Sequence, residues 1–131
     1  MQQQSSRRRR AALTGGMVVA VVFLSVLRAG AHHGWGGYSE KLSDISGTVE
    51  SSVSLAGPHA SMKVRAEGHV WDVVLAPPAG TTRSGLTEGM IPVGDKVVVH
   101  GQRHLDAKKF EIKTTRVTWN GKVFKIYPDR D

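Results

Sequence analysis

The chain has 131 residues, enough for one domain, and its 18 Lys and Arg against 11 Asp and Glu give a formal net charge of +7. It contains no cysteine, which excludes a disulfide framework and a thiolate metal site. Five of the basic residues and none of the acidic ones precede His32, so residues 32–131 carry thirteen basic and eleven acidic side chains. The basicity therefore belongs mostly to the amino terminus and is not evidence for a nucleic-acid partner.

Residues 1–31 have the layout of an export signal. The basic run Arg7–Arg10 is followed by an apolar segment at 11–27, which is short for a membrane span of roughly 20 residues. Ala29 and Ala31 have the small-residue spacing of a signal-peptidase site. We expect cleavage after Ala31 and a periplasmic or secreted protein, whereas an uncleaved segment would anchor the chain in a membrane.

The next segment, residues 32–43, is rich in glycine and has no sustained hydrophobic period, which predicts an extended amino-terminal arm. Trp35 and Tyr38 are expected to be packing anchors that hold this arm against the domain. From residue 44 the pattern changes to short alternating stretches separated by turn signals, and Asn120-Gly121 is a typical type I′ hairpin pair. Residues 44–128 are therefore predicted to form a folded domain.

The alternation predicts a specific order of elements in that domain. Strands are expected at 45–55, 60–66, 69–75, 96–103, 110–119 and 122–127, with a short helix or turn within 82–89. The longest connection falls between the third and fourth strands, as in an OB-type barrel. The predicted fold class is all-β, a small OB-like barrel of five to six strands, and a small open sandwich or meander is the alternative.

Four segments carry a resemblance to a known family: 31–35 (AHHGW), 57–59 (GPH), 71–78 (WDVVLAPP) and 94–101 (GDKVVVHG). In this order they resemble a family of small exported bacterial proteins, domain of unknown function 6152. The family pattern leads us to expect asparagine before the Pro-His pair, where this chain has Gly57, but His59 is retained. The resemblance implies an exported β-barrel with histidines at the amino end and in the first loop, and it implies no established activity.

Histidine is the residue type with the clearest chemical potential. Cleavage after Ala31 would place the new α-amino group on His32, which resembles half of a copper histidine brace that His33 or His59 could complete. Cleavage after Gly30 would instead make histidine the third residue, as in the amino-terminal copper and nickel motif. Either start predicts a site for Cu(II) or a similar divalent metal at His32, His33 and His59. The alternative is that the two adjacent histidines are only a solvated start to the mature chain.

The other histidines fit structural roles. His59 itself could simply cap backbone groups in its loop. His100 and His104 are four residues apart on one predicted strand and would point the same way, but Gly101 favours a bulge between them. His69 is expected to be a solvent-facing turn residue.

The sequence contains no nucleophile elbow, H-E-x-x-H pattern or phosphate loop, so it predicts a binding protein and not an enzyme. The first functional hypothesis is a metal carrier or accessory factor of the periplasm. The second is a metal-free cell-envelope module that binds a protein, glycan or small ligand across the barrel face. The nearly balanced charge of residues 32–131 argues against nucleic acid as a partner.

Overall fold

The structure is a computed structural model, and it describes residues 34–131. Strands dominate this part of the chain, which confirms the all-β prediction. The elements are β1 Tyr38–Ser54, β2 Ser61–Ala66, β3 His69–Val74, α1 Pro78–Arg83, β4 Lys96–His104, β5 Glu111–Trp119, β6 Lys122–Lys125 and a 3-10 turn at Pro128–Arg130. None of the helices described here is long and apolar enough to span a membrane. The apolar segment at 11–27 lies outside the described residues.

The strands form one sheet in the order β3-β2-β1-β4-β5-β6, and the sheet closes on itself. Closure is made by a parallel pairing of β3 with β5, in which Val73 lies opposite Ile112 and Val74 opposite Lys113. The other pairings are antiparallel, and β6 extends β5 as a hairpin. A five-stranded ring with its helix between β3 and β4 is an OB-like barrel, so this prediction is confirmed.

The long strand β1 coils around the barrel. Its second half pairs with β2 and its first half with β4, and register shifts interrupt both ladders. Two glycines permit the close approach of neighbouring strands that this curvature needs. A Cβ at Gly47 would collide with the Arg65 carbonyl oxygen, and a Cβ at Gly101 with the Lys113 carbonyl oxygen. The bulge predicted beside Gly101 is present, since the β4–β5 register shifts between His100 and Gly101.

Two element boundaries differ from the sequence prediction. β1 begins at Tyr38 and not at residue 45, because the second part of the predicted arm adds backbone pairing to the end of β4, with Tyr38 opposite His104. The short helix lies at 78–83 and not within 82–89. Pro78 supplies the φ angle that suits a first helical turn, whereas Gly85 at φ +103° and Gly89 at φ +65° are incompatible with a helix.

The barrel interior is filled by the alternating apolar residues from which the strands were predicted. The inward residues of β2, of β3 and of the position after β3 are at most 5% exposed: Met62, Val64, Ala66, Trp71, Val73 and Leu75. Asp72 lies on the outer face of β3 and forms an ion pair with Lys63 at 2.5 Å. Asn120 and Gly121 both have positive φ, which confirms the predicted hairpin turn.

Candidate functional site

His59 is held at one end of the barrel by its neighbour in the chain. Ala60 donates a backbone hydrogen bond to the Ala76 carbonyl and accepts one from Leu75, both 2.9 Å, so the β1–β2 loop is fixed to the residues that follow β3. Gly57 has φ +85°, a region that glycine adopts without strain and asparagine tolerates. The glycine at this position therefore preserves the loop geometry that presents His59, whose side chain is half-buried.

Trp35 anchors the start of the described chain, as predicted. It is 9% exposed and meets the Tyr127 ring edge to face at 5.0 Å between ring centres. The Arg130 guanidinium carbon lies 4.4 Å from the centre of the Trp35 ring. The arm is thus packed onto the carboxyl-terminal segment of the same chain.

Lys113 on β5 lies beside this arm. It is 2% exposed, and its ammonium is 5.4 Å from the centre of the Trp35 ring and 5.9 Å from that of Tyr127. A Cβ built on Gly34 would lie 3.4 Å from the Lys113 nitrogen. The positive charge of Lys113 is also felt at His59. Lys113 therefore lies against the arm, and its charge acts on the histidine of the β1–β2 loop.

The electrostatics of this end of the barrel favour a neutral His59. Burial lowers the pKa of His59, and the charge of Lys113 lowers it further. Burial also lowers the pKa of Lys113, while Glu111 opposes that change and Arg130 adds to it. Glu111 in turn accepts a hydrogen bond from the Tyr38 hydroxyl, and burial together with this carboxylate raises the pKa of Tyr38. A neutral imidazole has a free lone pair for a ligand such as a metal ion.

Two of the three residues predicted to bind metal, His32 and His33, lie outside the described residues. His59 is described, and it lies in the loop between β1 and β2. Within residues 34–131 no group of three or more His, Asp or Glu side chains is arranged to hold a metal ion.

The remaining histidines are placed apart from His59 and from one another. His100 pairs with Asp44 through Nδ1, and its Nε2 is 3.9 Å from a carboxylate oxygen of Asp131. The Nδ1 atom of His104 accepts a hydrogen bond from the backbone N–H of Asp106, and its ring lies against Tyr38. Each of these side chains has a structural partner, which fits the roles expected from the sequence.

A second feature lies beside the β4–β5 loop, where an open groove of about 400 Å³ includes His69, Trp71, Arg103 and Phe110 in its lining. The His69 and Phe110 rings stack at 3.8 Å, and the Arg103 guanidinium lies 4.9 Å from the centre of the Trp71 ring. Arg103 also forms a two-pronged ion pair with Glu67 at 2.8 and 2.9 Å. This arrangement gives His69 a stacking role in addition to the exposed position that was predicted for it.

Sequence reasoning missed Lys113 and Arg103. Both lie in strands whose apolar residues dominate the pattern, and a basic residue there is usually a solvent-facing position. The sequence contains only a weak indication that Lys113 is buried. Lys113 stands between Ile112 and Thr114 in a strand that must have neighbours on both sides if the barrel is to close. Residues 112–115 are in fact all buried, because β5 is covered on both faces over this stretch.

Several solved structures are similar to this chain over part of their length. A ZRD-deleted mutant of TiaS in complex with agmatine has a TM-score of 0.49 and 12% identity, covering 66% of this chain and 26% of that one. Apo TiaS, a tRNAIle2 agmatidine synthetase, has a TM-score of 0.46 and 18% identity, covering 60% and 18%. The S. pombe Stn1-ten1 complex has a TM-score of 0.46 and 15% identity, covering 62% and 59%. The match thus spans less than two thirds of each of those chains.

Comparison with curated proteins finds no match. A family profile, in contrast, matches residues 19–113, which is most of the sequence and includes His32, His33, His59 and Lys113. This agrees with the resemblance carried by the four sequence segments. The chain belongs to a family of unknown function, DUF6152.

Proposed function

We propose that this protein is an exported OB-like domain that binds a copper ion through its mature amino terminus, His32 and His33, together with His59. It acts as a periplasmic or secreted metal carrier or accessory factor and not as an enzyme. In this account the signal at residues 1–31 is removed, and the new α-amino group becomes one of the ligands.

The observation that supports this proposal is that Lys113 affects both Gly34 and His59. Gly34 lies beside the Lys113 ammonium, and the charge of Lys113 adds to burial in lowering the pKa of His59, although 25 residues separate Gly34 from His59 in the sequence. His33 is bonded to Gly34, and consecutive Cα atoms are about 3.8 Å apart. The proposal therefore takes His33, the residue bonded to Gly34, as a partner of His59 in binding the ion.

The available donor atoms suit copper. The chain offers no thiolate, so imidazole and amine nitrogens are the natural ligands, and both match the preference of copper for nitrogen. Residues 34–131 hold no three-ligand group of their own. A site on His59 would thus draw its other ligands from the residues just before Gly34, where His33 and His32 stand.

The test is a copper titration of the protein exported from its own signal, purified without an amino-terminal tag and stripped with a chelator. We expect one copper per wild-type chain. His59→Ala should weaken binding by about tenfold or more, and the double change His32→Ala with His33→Ala should abolish stoichiometric binding. His104→Ala is the matched control, since His104 has structural partners elsewhere, and it should bind as wild type does. Full retention of binding by the double variant would refute this site.

The groove beside the β4–β5 loop favours a second candidate, a metal-free cell-envelope module that binds a ligand across the barrel face. Its stacked rings and basic side chains are a suitable surface for a small ligand, glycan or protein. A photo-crosslinking residue at Lys109, which also lines the groove, should capture a reproducible envelope partner that His69→Ala reduces. Blocking the amino terminus should not change the yield of the crosslinked product. No reproducible product would remove the main support for this candidate.

A further inference from the structure

The groove beside the β4–β5 loop has a floor of planar groups that contact one another in series. The His69 imidazole stacks on the Phe110 ring at 3.8 Å with 9° between the ring planes, and Phe110 meets Trp71 edge to face at 5.6 Å. The Arg103 guanidinium carbon lies 4.9 Å from the centre of the Trp71 ring. His69 is exposed although Phe110 covers one face of its ring, so the other face is open to a ligand.

Arg103 is fixed in this series without a ligand. Its Nε atom donates to the Ser43 hydroxyl, its Nη2 atom donates to the Asp44 carbonyl, and both terminal nitrogens donate to the Glu67 carboxylate. Glu67 makes this contact from a backbone φ of +52°, a region that glutamate seldom adopts. The groove is therefore preformed, and Glu67 compensates the charge of Arg103.

Two polar side chains at the groove have no hydrogen-bond partner among residues 34–131. They are the imidazole of His69 and the ammonium of Lys109, which also has no ion-pair partner in this part of the chain. Lys109 is exposed, so it presents an uncompensated positive charge beside the open face of His69. These groups suit a ligand that combines a ring, hydroxyl groups and an anionic group.

We infer that the groove binds an acidic oligosaccharide, with one sugar ring packed on the open face of His69 and its carboxylate paired with Lys109. This inference rests on the second candidate function, the metal-free envelope module. The groove is open and has a volume of about 400 Å³, so it holds part of a chain-like ligand that continues into solvent. In OB barrels the face of the second and third strands and the loop between the last two strands bind oligosaccharides and oligonucleotides.

Two other macromolecules fit these residues less well. Single-stranded nucleic acid carries a phosphate on each nucleotide and is held along a groove with several cations, whereas here Glu67 neutralises Arg103 and leaves the Lys109 ammonium to pair with an anion. A peptide is commonly bound through its backbone at an open strand edge, whereas the floor of this groove consists of side-chain rings. A sugar ring with one carboxylate matches one open ring face and one unpaired ammonium.

The experiment measures binding of defined probes to the exported, tag-free protein by calorimetry, and NMR shift changes locate the contact. The probes are tetramers of galacturonate and of mannuronate, the same tetramers with their carboxylates methyl-esterified, a glutamate-rich peptide and a single-stranded oligonucleotide. The variants are His69→Ala, His69→Phe and Lys109→Gln. Lys125→Gln is the matched control, because Lys125 is an exposed lysine on β6 outside the groove lining.

We expect an acidic tetramer to bind about threefold or more tightly than its ester, and this difference to disappear in Lys109→Gln and at high salt. His69→Ala should weaken binding of both forms by about tenfold, whereas His69→Phe, which keeps a ring on Phe110, should retain most of it. Lys125→Gln should bind as wild type does. Thermal unfolding of each variant verifies that the barrel is intact.

The outcomes separate this inference from the candidate function on which it rests. Equal binding of the acidic and esterified tetramers, or an unchanged preference in a folded Lys109→Gln protein, would overturn the role of the carboxylate. Binding of the peptide or the oligonucleotide, but of no uronate tetramer, would overturn the sugar class and leave the groove as a binding site. If no probe binds, the inference is overturned, and the crosslinking experiment decides separately whether the candidate function stands.

Discussion

The Lys113 ammonium lies 5.4 Å from the centre of the Trp35 ring, and this contact joins the amino-terminal arm to β5. Trp35 has no place in the central hydrophobic cluster of the barrel, yet it is 9% exposed. Trp35 is buried outside that cluster, because the side chains of Tyr127 and Arg130 pack against its ring. The arm is consequently fixed at a defined position two residues after His33.

Replacing Trp35 with alanine should release the arm from its contacts with Tyr127, Arg130 and Lys113. We expect about 1–3 kcal/mol of lost stability, less than the approximately 3–5 kcal/mol for Trp71→Ala, because Trp71 belongs to the barrel core. Copper affinity should fall by about tenfold in Trp35→Ala, since the ligands before Gly34 lose their anchor. Denaturant unfolding and copper titration measure the two effects. Wild-type copper affinity in a folded Trp35→Ala protein would show that the anchor does not position the site.

Removing the charge of Lys113 should change how His59 titrates. In metal-free protein, Lys113→Met is expected to raise the pKa of His59 only part of the way toward its ordinary 6.5, because burial is the larger cause of the lowered value. An NMR pH titration of the His59 ring reports this directly.

The same lowered pKa has a consequence for stability. Well above pH 6.5 the His59 imidazole is neutral in both folded and unfolded chains and contributes no pH dependence. As the pH falls below 6.5 the unfolded chain gains a proton before the folded one does, so the free energy of unfolding decreases. The decrease should be smaller in Lys113→Met than in wild type. Equal pH dependence in the two proteins would mean that the charge of Lys113 does not reach His59.

Gly101 should tolerate no side chain. A Cβ there would collide with the Lys113 carbonyl oxygen at the point where β4 and β5 bulge, so Gly101→Ala should cost about 1–3 kcal/mol of stability. Gly36→Ala is the matched control, because a Cβ at Gly36 has no neighbouring atom within 4 Å. Chemical denaturation of both variants tests the difference. Equal stabilities would contradict the close strand approach at Gly101.

The Arg103–Glu67 ion pair should be asymmetric in its effect on stability. Glu67→Gln removes a partly exposed charge and is expected to cost about 1 kcal/mol or less. Arg103→Ala should cost more, because the guanidinium also donates to the Ser43 hydroxyl and the Asp44 carbonyl and covers the Trp71 ring. Thermal unfolding of the single variants and of the double variant separates the ion pair from the packing. A larger cost for Glu67→Gln than for Arg103→Ala would contradict this assignment.

The strands of the barrel could be predicted because each is marked by a pattern within its own short stretch of sequence. The alternation of Met62, Val64 and Ala66 identified a half-buried strand, and Asn120-Gly121 identified a hairpin turn. Boundaries that depend on tertiary pairing were wrong. Residues 38–44 have no strong apolar period, and they are a strand because the end of β4 provides backbone partners for them.

The candidate site was predictable only in part for the same reason. His59 could be chosen from residue type and its loop position, and Trp35 from its place in the arm. Lys113 could not be found this way, because its burial follows from the parallel pairing of β3 with β5, a contact between distant segments. The approach of Gly34 to the Lys113 ammonium likewise joins distant segments and has no local signature.

Native mass spectrometry of the protein exported from its own signal, tag-free and loaded with copper, tests the central claim most directly. It reads the mature amino terminus and the bound metal in one spectrum. The account predicts a chain that begins at His32 or Ala31 and retains one copper ion, which the His59→Ala protein retains poorly. A correctly cleaved chain that holds no copper after loading, or an intact chain that still begins at Met1, would contradict it.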